Sequence, residues 1–241
     1  MKKIITNSQS GNALFLILIA VVLFAALSYA VSQSGVTGGH NTGRENAKLV
    51  ASEINNYIVS LKTSITRLSL RNCSQEALSF ERPPFDGSDT DYVNPNSPAN
   101  FTCHIFHPDG GAVNYINAND KWLDMGFASN FEYGDLAFMV SKIRFSSRLN
   151  IGTSASDLIV LVPYVSKGVC EDINEKNLGN KTIGVETNIV GTKFTGSYVV
   201  PGDIDNPFSP SFNFLPDTYC IQSNDPYPAD SYAIYSILLA R

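Results

Sequence analysis

Charge is scarce in this sequence. Only 16% of its 241 residues are charged, whereas about 25% is usual for a soluble domain. The 22 acidic residues outnumber the 17 basic ones, the net charge is −5, and no segment gathers lysine and arginine into a stripe. A nucleic-acid partner therefore has no electrostatic support.

Histidine and catalytic motifs are also scarce. The three histidines are His40, His104 and His107, and Cys103 precedes the second of them. No second ligand pair follows at the spacing of a zinc motif, and in a strand residues 104 and 107 would face opposite sides. Neither a phosphate-binding loop, nor Gly-x-Ser-x-Gly, nor His-Glu-x-x-His is present. We therefore expect no enzyme activity, no cofactor and no transition-metal site.

One acidic loop is a weak calcium candidate. Asp86, Asp89 and Asp91 lie close together in a segment rich in proline and glycine. Calcium favours flexible clusters of oxygen ligands, but this spacing does not match the EF-hand loop. Asp203 and Asp205 form a second, weaker cluster. Because acidic runs are common on solvated surfaces, a solvated loop is the main expectation at both places.

Cysteine is limited to four residues, Cys73, Cys103, Cys170 and Cys220. An even number in an exported domain indicates two disulfides, for which three connectivities exist. We favour Cys73 with Cys103 and Cys170 with Cys220, because each pair closes a modest loop in one half of the domain. In the chain-entropy account each loop adds roughly 3–4 kcal/mol of stability.

A long uncharged apolar run stands near the start of the chain. Residues 13–31 are apolar except for Ser28 and Tyr29. A membrane core of about 30 Å needs about 20 such residues in a helix. Lys2 and Lys3 precede the run and place the N-terminus on the cytoplasmic side. The run is then a membrane anchor or a secretory signal peptide cleaved after Ala30, although it is longer than a typical signal core.

The residues before the apolar run favour a more specific interpretation. A short basic leader ends in Ser10 and Gly11, the polar Asn12 follows, and the apolar helix begins at once. This arrangement resembles the class III signal of type IV pilins and of type II secretion pseudopilins, in which a dedicated peptidase cuts after the glycine. The chain departs from that family at Asn12, where Phe or Met is usual, and at Leu16, where Glu is usual. The missing glutamate favours a minor subunit over a major one.

The resemblance implies an organisation and a set of partners. It gives a leader over 1–11, a transmembrane helix over 12–34 and an extracytoplasmic domain over 44–241. Between the last two, four glycines in residues 35–43 make a poor helix and predict a hinge. The implied function is that of a minor pilin-like or pseudopilin-like structural subunit in the bacterial inner membrane. Its partners would be prepilin peptidase, which exposes and prepares the new N-terminus for methylation, and other pilin-like subunits. The alternative is a membrane-anchored periplasmic binding or enzyme domain of unknown ligand.

The pattern after the hinge predicts an α+β fold. Apolar residues at three- and four-residue steps predict an amphipathic helix over 44–71, packed on a mainly antiparallel sheet. A second helix is predicted over 156–178, although Pro163 would kink or split it, and residues 158–162 fit a buried strand as an alternative. Strands are predicted over the following ranges: 101–106, 112–116, 136–144, 182–189, 193–200, 218–223 and 232–239. Asp109-Gly110-Gly111 indicates a hairpin between the first two.

Overall fold

The chain has an α+β fold with two disulfides. The computed structural model describes residues 10–144, 155–186, 191–199, 203–205, 216–223 and 227–241. The chain divides into two units, Met1–Asn46 and Ala47–Arg241. The second unit begins close to residue 44, where the sequence predicts the start of the globular domain.

Helix α1 runs over Ser10–Leu70. Its backbone is helical through residues 35–43, so the interruption predicted from the glycines is not found there. Each helical glycine costs about 1 kcal/mol relative to alanine, but extending an existing helix needs no new nucleus. Among the residues that the structure describes, no helix is long and apolar enough to cross a membrane.

The second half of α1 is amphipathic, as predicted. Its buried face belongs to the same hydrophobic core as the strands of the sheet. Leu49 is 69% exposed and Tyr57 is only partly buried, so the stripe passes through Val50 and Ile58 instead. The fully buried members of this face are Val50, Ala51, Ile54, Ile58, Leu61, Ile65 and Leu68.

The sheet is mixed. Its strands are β1 Ala137–Arg144, β2 Asp157–Val162, β3 Gly184–Glu186, β4 Thr192–Lys193, β5 Asp203–Asp205, β6 Thr218–Ser223 and β7 Ser231–Leu239. The order is β3-β6-β7-β2-β1-β4, and β5 pairs with the far end of β1. Among these strands, β3 with β6 and β1 with β5 are parallel, and the other four pairs are antiparallel. The sheet is therefore mainly antiparallel, as the sequence predicts.

The predicted second helix is two elements. Residues 157–162 form strand β2, which is buried along its whole length between β1 and β7. Pro163 lies in the turn that follows, and helix α2 covers Lys167–Leu178 with Ser166 at its N-cap. Gly179 ends α2 with a φ of 76°, a left-handed value that glycine adopts without strain. The long helix was wrong, and the buried-strand alternative is confirmed.

The segment between α1 and β1 does not form the strands that were predicted for it. No strand forms over 101–106 or 112–116, and the only bridge there joins Ser79 to His104. Phe101 and Ala112 have φ values of 59° and 52°, and such left-handed residues end an extended run. The predicted strand over 182–189 shortens in the described residues to β3. The predicted strand over 193–200 is wrong over 194–199, because only Lys193 among the described residues of that range belongs to a strand, β4.

Both favoured disulfides are present. Cys73 pairs with Cys103, and this bond ties the end of α1 to the irregular segment before β1. Cys170 pairs with Cys220, which links α2 to β6. No free cysteine remains in the chain. The first bond matters most locally, because the segment it closes has almost no strand pairing of its own.

Candidate functional site

The predicted processing site lies at the start of α1, since Gly11 and Asn12 belong to its first turn. The helix beyond them is covered with exposed apolar side chains. From Leu14 to Tyr29, twelve large apolar residues on every side of the helix are each 40% exposed or more. An apolar surface of this kind needs a cover of lipid or protein.

Two of the three carboxylates of the acidic loop pair with basic side chains of the protein itself. Asp89 forms a two-oxygen pair with Arg82, with distances of 2.8 and 2.7 Å. Asp91 lies 2.6 Å from the Lys193 ammonium, and Asp86 accepts a bond from the backbone N–H of Ser88. No group of three metal-ligating side chains occurs in the described part of the chain. The structure therefore gives the calcium candidate no support. Asp203 and Asp205 lie in β5, and their side chains fall outside the described atoms.

A buried polar chain runs through the irregular segment. The Nε2 atom of His104 lies 3.1 Å from Oε2 of Glu81, and its Nδ1 atom lies 3.3 Å from Oγ of Ser97. The other oxygen of Glu81 accepts a bond of 2.9 Å from the N–H of Gly87. The His104 and Glu81 side chains are 6% and 7% exposed. No sequence pattern predicts this contact, because 23 residues separate the pair.

The Ser97–His104–Glu81 chain has the connectivity of a nucleophile, a base and an orienting acid. It lacks the support that such chemistry needs beside the nucleophile. Residue 98 is a proline without an N–H, and the N–H of Ser97 itself donates to the Asn94 carbonyl. These contacts connect Glu81 to the loop closed by Cys103, and the three residues are called the clamp.

The clamp makes stability depend on pH. Burial lowers the pKa of His104 below its usual value, and the Glu81 carboxylate only partly opposes that effect. As the pH falls, His104 is therefore protonated at a higher pH in the unfolded chain than in the folded chain. The free energy of unfolding decreases as the pH falls below about 6.5. We expect His104→Gln to lose less stability than the parent between pH 7 and pH 5. Urea unfolding at several pH values measures this, and an unchanged slope would rule out His104 as its source. His107→Gln is the control, since it keeps His104.

An open groove of about 490 Å³ is the other feature that sequence reasoning missed. One wall is the face of α1 that carries Tyr57, Ser60, Thr63 and Arg67, and the other is the segment 111–116. The two walls are joined by side-chain to backbone bonds, from the Tyr57 hydroxyl to the Asn114 carbonyl and from Arg67 to the Gly111 carbonyl. The groove forms because an irregular segment lies along the helix. Such a segment has no periodic sequence pattern from which it could be predicted.

Comparison of the chain with protein-family models, with characterised proteins and with solved structures found no match.

Proposed function

We propose that this protein is a minor pilin-like or pseudopilin-like structural subunit, anchored in the bacterial inner membrane. The observation that carries the proposal is helix α1, whose first part exposes apolar side chains all round and whose second part is built into a disulfide-linked core. A membrane or the apolar helices of neighbouring subunits would cover the first part. The leader that ends at Gly11 supports the same assignment.

The anchor would occupy residues 12–34. Residues 13–31 carry no charge, and Leu16 stands where a glutamate would require a partner inside the lipid. The uncharged segment would therefore insert easily into the membrane. It would lack the contact that the glutamate would make with a neighbouring subunit. Association with other anchors would depend on side-chain packing. These features suit a subunit present in few copies at an end of a filament.

The second unit fits an extracytoplasmic location. Two disulfides persist where the compartment is oxidising, and all four cysteines lie beyond the proposed anchor. Positive residues before the anchor favour a cytoplasmic N-terminus, which puts Ala47–Arg241 on the opposite side. Prepilin peptidase would act at the Gly11–Asn12 bond from the cytoplasmic side.

The intact mass and N-terminal sequence of the membrane-extracted protein test the proposal. A chain that starts at Asn12 is the expected result. A chain that keeps Met1 contradicts it in favour of a plain anchor. A start at Val31 also contradicts it, because the second unit would then be a secreted soluble domain.

A second candidate is a membrane-anchored periplasmic binding domain. The groove between α1 and segment 111–116 favours it, because its volume falls in the range of about 300–1,000 Å³ found for ligand sites. The two candidates differ in their N-termini, since a plain anchored binding domain would keep Met1. An enzyme domain gains no comparable support from the Ser97–His104–Glu81 clamp.

A further inference from the structure

We propose that the groove between α1 and segment 111–116 binds an acidic saccharide, a sugar chain that carries carboxylates. The proposal concerns the second unit and does not depend on how the chain is anchored. It stands on the shape of the groove, on the direction in which its hydroxyl groups point, and on its single charged lining residue.

The wall formed by segment 111–116 is fixed closely against the helix. A side chain at Gly111 would lie 2.3 Å from the Ser64 hydroxyl and 2.4 Å from the Ile105 carbonyl, so only glycine fits there. Ala112 follows with a left-handed φ of 52°, a conformation that costs about 1 kcal/mol or more. The groove is therefore formed before any ligand arrives, which limits the entropy lost on binding.

Three hydroxyl groups that line the groove already donate their hydrogens to backbone carbonyls. Ser60 donates to the Tyr57 carbonyl at 2.7 Å, and Thr63 donates to the Val59 carbonyl at 2.8 Å. Tyr57 donates to the Asn114 carbonyl at 3.2 Å, and burial raises its pKa, so it remains a neutral phenol. Because the three hydroxyl hydrogens are used within the protein, these oxygens can only accept further hydrogen bonds. A ligand rich in O–H donors matches this surface.

Arg67 adds a positive charge. It is the one charged residue that lines the groove, and only one of its N–H groups is accounted for by the Gly111 carbonyl. A guanidinium has five N–H donors in a planar fork that matches a carboxylate. Hydroxyl donors together with carboxylates define a sugar acid.

The floor of the groove contains a further sign of an incomplete site. The Ser64 hydroxyl is 2% exposed and has no hydrogen-bond partner within the described residues. An unpaired buried hydroxyl is costly, and it marks a place where a polar partner is expected. Ser64 is one of the lining residues, and its hydroxyl lies next to Gly111.

Calorimetric titration of the detergent-solubilised full chain with tetragalacturonate tests the proposal. We expect binding that weakens at least tenfold in Arg67→Gln and about threefold in Thr63→Val. Each variant has a matched control on the same helix. Arg71→Gln also removes bonds to loop carbonyls, at Gly110 and Asp109, but Arg71 does not line the groove. Thr66→Val removes the same type of helix-facing hydroxyl outside it.

Several outcomes would overturn the assignment. One is the absence of binding heat up to about 10 mM ligand, which is weaker than specific recognition requires. Equal binding of the neutral sugar maltotetraose would remove the role of charge. Equal losses in the two arginine variants would show that only loop position matters. Binding of tetraglutamate in place of tetragalacturonate would make the ligand an acidic peptide.

Discussion

Replacing Gly11 by leucine is expected to leave the full-length chain, beginning at Met1, in the membrane. The proposed peptidase cuts after a residue without a side chain, and a branched side chain at that position would fill the space next to the scissile bond. The parent chain would lose eleven residues, or about 1.2 kDa, which mass spectrometry of the membrane fraction resolves easily. The effect should be close to all or none.

Gly43→Leu is the matched control for this experiment. Gly43 lies in the same helix, and nothing approaches a side chain placed there within 4 Å. Leucine is a better helix former than glycine, so the fold should tolerate it. Normal processing of Gly11→Leu would contradict the pilin-like assignment. A block in both variants would mean that export, and not cleavage, was affected.

Asn174→Ala is expected to cost about 3 kcal/mol of unfolding free energy, because three hydrogen bonds disappear from a buried site. Asn174 is fully buried on α2. Its amide nitrogen donates to the Thr182 and Cys220 carbonyls, both at 2.8 Å, and its oxygen accepts from the Cys220 N–H at 2.7 Å. The Asn174 amide therefore makes the hydrogen bonds to Cys220 that a neighbouring strand would otherwise make. Alanine would leave these backbone groups without partners.

Urea unfolding with intact-mass control of both disulfides measures this loss. Asn177→Ala serves as the comparison, because Asn177 lies on the same helix and its buried amide nitrogen has no partner in the described structure. That change should cost less than 1 kcal/mol. Equal losses in the two variants would show that helix propensity, and not the bonds to Cys220, sets the stability.

Local patterns in the sequence predicted the amphipathic helix and the last two strands. The second half of α1 repeats its apolar residues every three or four positions, and that face is buried in the structure. Strands β6 and β7 lie within a residue of their predicted ranges. The disulfide pairing also agreed with the structure, because short loops within one half of the domain are the simplest to close.

Sequence reasoning failed where contacts between distant residues decide the local shape. Strand β2 is buried on both faces, so its apolar run could not be separated from a helix by periodicity. Residues 101–116 are held by a disulfide and by bonds from Arg67 and Arg71 to loop carbonyls. The alternation of apolar and polar residues in this segment therefore does not correspond to a strand. The Glu81–His104 contact and the groove depend on that loop, and both were invisible for the same reason.

The position of β7 has a consequence for the order in which the chain becomes structured. Residues 231–239 lie between β6 and β2, although they follow every other strand in the sequence. While the polypeptide emerges from a ribosome or a translocation channel, β2 and β6 have no common neighbour and their edges stay open. A premature stop before residue 231 would thus leave two separate half-sheets, which proteases and other nascent chains can reach.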